Sequence, residues 1–133
     1  MQTKINYAKE IGEVGSIVSE ATKNFGGYKE TKINNENDLV ALIGRYKTDL
    51  TKLQEGEKRL TKVIEPVLIQ REHSQLVKAF SEYVAATGEM ITAIDTTPES
   101  FIKAIYKSAE TKQSQASGEI AKICSVIAKK LFP

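Results

Sequence analysis

The chain has 133 residues, of which 41% are hydrophobic and 27% charged, and its 19 basic and 17 acidic residues leave a net charge of +2. This length and composition are typical of one globular domain and exclude a disordered chain. The two charge signs are interleaved along the sequence rather than gathered on one basic face, so we expect no nucleic-acid partner.

The single cysteine, Cys124, excludes an intramolecular disulfide and a zinc site built from several thiolates. It lies in an apolar run, and we interpret it as an unreactive core thiol. The sequence has no apolar run of about 18 residues, and Met1–Lys4 lacks the apolar segment of a signal peptide. These features predict a cytoplasmic protein, or one exported by a route that reads no cleavable signal peptide.

The first predicted helix runs from about Asn6 to Phe25. Its apolar residues recur at helical spacing and form one face, namely Tyr7, Ile11, Val14, Val18, Ala21 and Phe25. Gly12 and Gly15 either weaken this helix or let a second helix approach closely. Gly26-Gly27 predicts the end of the helix, because glycine readily adopts the left-handed conformation of a helix C-terminus.

The second predicted helix begins near Asn35, a good N-cap that acidic residues follow. Its apolar residues form a heptad seam, at Leu39, Ile43, Tyr46, Leu50, Leu53, Leu60, Ile64 and Val67. Glu57 fills one slot of this seam. Two such helices with a short connector predict an antiparallel hairpin over residues 5–65.

Pro66 leaves the end of the second helix open between a kink and a sharp turn. Proline removes a helical hydrogen bond and clashes with the preceding turn. The segment from Val63 to Ile69, however, contains no glycine, no asparagine and no polar cluster of the kind typical of a tight reversal. We therefore favour a kinked helix over a sharp turn.

Two further helices are predicted, at about 67–94 and 98–131. The first continues a heptad that includes His73, and Thr97-Pro98 predicts the start of the second as an N-cap followed by a proline in the first turn. A break near Ser117-Gly118 stays open. Because no alternation typical of strands occurs, we predict an all-α protein, an elongated antiparallel hairpin or bundle of three to four helices forming a single domain over 1–133.

The sequence offers no pattern typical of catalysis. His73 is the only histidine, and neither a phosphate-binding loop nor a nucleophile elbow is present. We therefore expect no enzyme activity, no cofactor and no metal. In the last helix, Lys122, Lys129 and Lys130 lie opposite an apolar face, so this segment either packs on the core or lies on a membrane surface. We favour packing, and do not expect a membrane partner.

The heptad seams predict a protein partner and a homo- or hetero-oligomer. The seam of the second helix extends beyond the first helix, and the polar middle of the last helix gives thin cover. Both features leave surface for another chain. Our candidate interaction seam consists of Leu50, Leu53, Leu60 and Ile64.

Three features of the sequence are found together in a known family. Phe25-Gly26-Gly27 follows the first heptad helix as an aromatic-x-Gly turn, a polar and acidic segment opens the second helix at Asn35, and Tyr106 and Glu110 form a Tyr-x-x-x-Glu motif. In these respects the chain resembles the small helical-hairpin proteins of type VII secretion, which comprise the WXG-type family and the helical partners of LXG toxins.

The resemblance implies a non-enzymatic export partner that lies along the N-terminal helices of a toxin. Phe25, Gly27, Tyr106 and Glu110 would then be the interaction and export residues. Two alternatives stay open. One is an immunity protein that inhibits a toxin in the cytoplasm, and the other is a homodimeric coiled-coil adaptor or membrane-surface module.

Overall fold

The computed structural model describes residues 2–29, 35–96 and 99–133, and within these ranges the chain is helical and contains no strand. The elements are α1 (Gln2–Lys29), α2 (Glu36–Lys62), a short 3-10 helix (Val67–Ile69), α3 (Gln70–Thr96) and α4 (Glu99–Leu131). The predicted all-α fold is confirmed.

Each helix packs against the next helix along the chain, and α1 also touches α4 over a short stretch. The most extensive contact joins α3 and α4. Neighbouring helices run antiparallel, because polar contacts join the start of one to the end of the next, as between Glu72 and Lys130. The arrangement is an up-down-up-down four-helix bundle, in which α1 lies diagonally opposite α3.

The core of the bundle is built from the predicted apolar faces. Its largest fully buried side chains are Tyr7, Tyr46, Phe80 and Tyr83. Leu53 and Leu60 of the α2 seam are also fully buried. Glu57, in contrast, is only half-buried, and the neighbouring Gly56 turns to the core instead.

The start of α2 agrees with the sequence, whereas the end of α1 does not. The side chain of Asn35 accepts a hydrogen bond from the backbone N–H of Asp38 at 2.9 Å, as an N-cap does. The predicted stop at Gly26-Gly27 is wrong, because α1 continues to Lys29. Phe25 is buried and stacked on Tyr46 at 5.4 Å, so packing on α2 holds the last turns of α1 in helical form.

The kinked helix favoured at Pro66 is also wrong, because the chain reverses there. Helix α2 ends at Lys62, and α3 packs back against it. Val63 and Pro66 both adopt extended backbone, with ψ of 142° and 144°, before the 3-10 turn starts. The reversal needs no residue with positive φ, which is why the sequence lacks the glycine or asparagine of a tight turn.

Two further glycine questions are resolved by the packing. Helix α4 is continuous through Ser117-Gly118, with Ala116 and Ile120 buried on either side. A Cβ added at Gly12 or Gly15 would meet nothing within 4 Å, so neither glycine serves a close approach. The N-cap predicted at Thr97 lies outside the described residues.

Gly56 is the glycine at which two helices approach most closely among those described. A Cβ at this position would lie 3.2 Å from Cζ of the buried Phe80. At Gly44, on the exposed side of the same helix, a Cβ would meet nothing within 4 Å. Comparing the stability change on substitution at the two positions therefore distinguishes the effect of helix propensity from the effect of packing.

We expect Gly44→Ala to stabilise the protein by about 0.5–1 kcal/mol, because alanine favours a helix. Gly56→Ala should stabilise less or destabilise, since Phe80 must shift to admit the methyl group. Urea unfolding of both variants measures the difference. Equal gains at the two positions would show that Gly56 plays no part in packing.

Candidate interaction surfaces

A buried hydrogen bond joins the two diagonal helices α1 and α3. The Tyr7 hydroxyl lies 2.8 Å from Nδ1 of His73, and the two rings meet edge to face. His73 is also hydrogen-bonded to the backbone of Leu60 on α2. Three helices therefore meet at one imidazole, which the sequence had indicated only as a residue in the α3 seam.

The protonation states at this contact follow from burial. Burial raises the pKa of the Tyr7 phenol, with smaller contributions from the nearby Cys124 and the negative charge of Glu65, so the hydroxyl keeps its hydrogen. Burial also lowers the pKa of His73, although Glu65 and the Leu60 hydrogen bond oppose the shift. We therefore assign the neutral imidazole, with Tyr7 donating to Nδ1 and Nε2–H directed to Leu60.

A second polar chain crosses the bundle nearer its other end. Nε2 of Gln113 donates to Oγ1 of Thr87 at 2.8 Å, and the Thr87 hydroxyl donates to the backbone oxygen of Tyr83. The Tyr83 hydroxyl lies 2.8 Å from Oγ1 of Thr22. No buried side-chain nitrogen or oxygen of the described residues lacks a partner. These interior polar groups are thus engaged in joining helices.

The side chains that could bind a metal are dispersed. Within the described residues, no group of three or more His, Cys, Asp or Glu side chains has an arrangement that could hold an ion. Cys124 is half-buried against the core, and burial raises the pKa of its thiol. A raised pKa disfavours the reactive thiolate.

Of the four predicted export residues, two lie at the same cleft. Phe25 and Glu110 line the same cleft, of about 290 Å³, which opens between α1 and α4 above Tyr83. Gly27 is exposed on the last turn of α1. Tyr106 belongs to α4, but its side chain lies outside the part of the chain that the structure describes in detail.

The predicted interaction seam is divided by the fold. Leu53 and Leu60 are fully buried in the protein's own core, and Leu50 is half-buried against it. Only Ile64 faces solvent, because the chain has left the helix before reaching it. The first three residues therefore contribute to the bundle itself.

A long groove runs along the outer side of the α3–α4 pair. Its volume is about 600 Å³, and its floor includes Ala79, Ala86, Ala116 and Ile123. Exposed charged residues line its edges, among them Lys78, Glu82, Glu89, Lys112 and Glu119. The Lys112 ammonium group lies 3.3 Å from a carboxylate oxygen of Glu89 across the two helices.

The sequence carried one signal for this groove, the small and polar middle of α4. Because alanine side chains are short, they let the two helices come close and leave the groove above them unfilled. The part supplied by α3 gave no separate signal, because Ala79 and Ala86 also satisfy the core face of that helix.

Comparisons with family models, curated proteins and solved structures find no match to this chain. The described helices include none with the length and apolar character needed to cross a bilayer.

The buried imidazole of His73 makes stability depend on pH. In the unfolded chain this histidine takes up a proton near its ordinary pKa of 6.5, whereas the folded state resists protonation. Acidification below pH 6.5 should therefore destabilise the fold, with a slope of at most about 1.4 kcal/mol per pH unit. The loss should be complete once the pH falls below the folded-state pKa. Urea unfolding across this range measures it.

His73→Gln is the matched variant, because its amide can still accept from Tyr7 and cannot titrate. This variant should flatten the dependence of stability on pH between pH 6.5 and 5. It should keep the loss of stability below pH 4.5, because that loss stems from Glu10 and Glu72, whose pKa values are lowered by Arg59 and Lys130. As the only histidine, His73 can also be titrated by NMR in the wild type. A pKa at or above 6.5 would contradict the assignment.

Proposed function

We propose that this chain is a non-enzymatic interaction module that takes an α-helix of a partner protein into the groove between α3 and α4. The observation that carries the proposal is the shape and lining of that groove. From Gln75 to Glu89 it follows α3 for about 21 Å, or about four helical turns. A floor of alanines gives a second helix room to approach, as small residues do in helix packing.

The edges of the groove fit a polar rim around an apolar contact. They carry three acidic and two basic side chains, so a partner helix with an apolar face and charged flanks would find groups of opposite sign. In the part of the chain that the structure describes, every buried side-chain nitrogen and oxygen already has a hydrogen-bond partner. This self-sufficient interior supports a role in binding through the surface rather than in chemistry within the core.

Ala85 offers a direct test, since it is exposed and lines the groove. We expect Ala85→Trp to fill the furrow and weaken the partner by about tenfold or more. The equivalent control is Ala121→Trp, on an exposed part of α4 that does not line the groove. Capture from the native cell identifies the partner, and titration calorimetry with both purified proteins measures the affinity.

Unchanged affinity in the Ala85→Trp variant would exclude this groove as the binding site. The identity of the captured chain also separates the open alternatives. A secreted toxin's N-terminal helices favour an export partner, a toxin's catalytic domain favours an immunity protein, and a second copy of this chain favours a homodimeric adaptor.

A narrower proposal is that the module is an export partner of type VII secretion. It rests on the resemblance of Phe25, Gly27, Tyr106 and Glu110 to the family's turn and export motif. One further observation supports it, because Phe25 and Glu110, distant in sequence, line one cleft. A partner bound over this cleft, along α1 and α4, would contact Glu110, with the buried Phe25 beneath it in the wall of the cleft.

For this narrower proposal, Tyr106→Ala with Glu110→Ala should abolish export of the chain while its circular dichroism stays helical. Lys107→Ala with Thr111→Ala changes exposed residues of the same two turns and serves as the control. Secreted and cellular fractions are compared by immunoblot in cells with and without an active secretion system. Export that persists in the double variant would rule out the motif.

A further inference from the structure

One end of the bundle collects the surface features that the sequence scatters over three segments. The start of α1, the connection between α2 and α3, and the end of α4 meet there. Tyr7 bonds to His73, Lys130 bonds to Glu72 at 2.7 Å, and the Lys4 ammonium group lies 5.5 Å from the centre of the Phe132 ring. These contacts make the end one connected surface.

Exposed apolar side chains are concentrated on this surface. Among the described residues, the large apolar side chains left exposed are Ile5, Ile64, Val67, Leu68, Val126 and Phe132 toward this end and Val40 elsewhere. Exposure reaches 76% at Ile64, 81% at Val67 and 62% at Leu68. We call Ile5, Ile64, Val67, Leu68 and Phe132 the apolar end. Leaving so much aliphatic surface in water does not serve the fold.

The same surface is positively charged. It carries five basic side chains, Lys4, Lys62, Arg71, Lys129 and Lys130, against two acidic ones, Glu65 and Glu72, which gives a net charge of +3. Because the whole chain has a net charge of +2, the remainder is slightly negative. Glu72 is moreover buried and paired with Lys130, so Glu65 is the one acidic side chain here outside an ion pair with these lysines.

We propose that the apolar end is a docking site for the surface of an anionic lipid bilayer. Ile64, Val67 and Leu68 enter the boundary between headgroups and acyl chains, while the surrounding lysines and Arg71 contact lipid phosphates. Apolar side chains encircled by flexible cations suit a surface of diffuse negative charge. The connection can enter as a unit, because the fully buried Ile69 anchors it in the core.

The composition favours lipid over a protein as the occupant. Protein interfaces are enriched in tyrosine, tryptophan and arginine and depleted in lysine. The apolar end consists of four aliphatic side chains and one phenylalanine, and the basic residues around it are four lysines and one arginine. In the sequence, the lysines of the last helix are the only basic residues that belong visibly to this surface, and they favour packing on the core over binding to a membrane. The fold brings Lys4, Lys62, Arg71 and the exposed connection beside them.

The test uses the purified chain and two kinds of vesicle, phosphatidylcholine alone and equal parts of phosphatidylcholine and phosphatidylglycerol. We expect flotation with the anionic vesicles only, and release at high salt because the charge contribution is screened. Val67→Ser with Leu68→Ser should reduce binding by about tenfold or more, since the apolar contribution is lost. Val40→Ser is the matched control, as Val40 is 62% exposed but lies near the start of α2 at the far end.

Charge reversal is tested separately. Lys62→Glu with Lys129→Glu should abolish flotation, whereas Lys23→Glu with Lys47→Glu, which makes the same change of net charge on exposed residues toward the far end, should leave it. Because the chain contains no tryptophan, Leu68→Trp gives a single reporter whose emission should shift to the blue on anionic vesicles. Val40→Trp should show no shift.

Several results would overturn the proposal. These are absence of flotation at low salt, equal losses in the apolar-end and control variants, or an unshifted Leu68→Trp emission. A dimer of the wild type that Val67→Ser with Leu68→Ser dissolves would show that a second copy covers this end instead. Ala85→Trp should float like the wild type, so this outcome is independent of the α3–α4 groove.

Discussion

The contact of Tyr7 with His73 constrains the rest of the bundle, because it joins helices that are not neighbours. A heptad seam of aliphatic residues tolerates a shift along the helix axis, since one leucine fits nearly as well as the next. A hydroxyl and an imidazole nitrogen buried among apolar side chains tolerate no such shift, because each would lose its partner in a medium without water. Their hydrogen bond fixes the height of α1 against α3.

The pair of Thr22 and Tyr83 repeats this constraint nearer the other end of the same two helices. Tyr7 thus reaches from α1 to α3, and Tyr83 reaches from α3 back to α1. Arg59 pairs with Glu10 and Glu13 on the α1–α2 side, and Lys130 pairs with Glu72 on the α3–α4 side. Apolar burial supplies the driving force for folding, and these polar contacts select one alignment among those that burial would allow.

What the sequence predicts well is local in origin. The cap at Asn35 and the apolar faces of all four helices depend on residues within a turn or two of each other. The errors at Gly26-Gly27 and Pro66 arise where tertiary contacts decide. Phe25 packs on Tyr46 and extends α1, and α3 packs back on α2 through a turn of extended residues. No pattern within one helix could indicate that His73 meets Tyr7.

The candidate surfaces were hidden for the same reason. Ala85 and Glu119 become neighbours of one groove only after α3 and α4 are side by side. Lys4 and Phe132, at opposite ends of the sequence, come together only when the bundle closes. A surface of this kind has no linear motif, so its residues appear in the sequence as ordinary lysines and aliphatics.

The order of the helices also sets the route by which the chain can fold. Each helix finds its main partner next to it in sequence, so most contacts form by closing short loops. Such topologies fold rapidly, in about microseconds to milliseconds, because little chain entropy is lost before contacts form. The contact between α1 and α4 joins the helices that are farthest apart in the sequence, and because this contact is small, its formation adds little stability. During synthesis, therefore, the first hairpin can form before α4 has left the ribosome, and closure of the ring comes last.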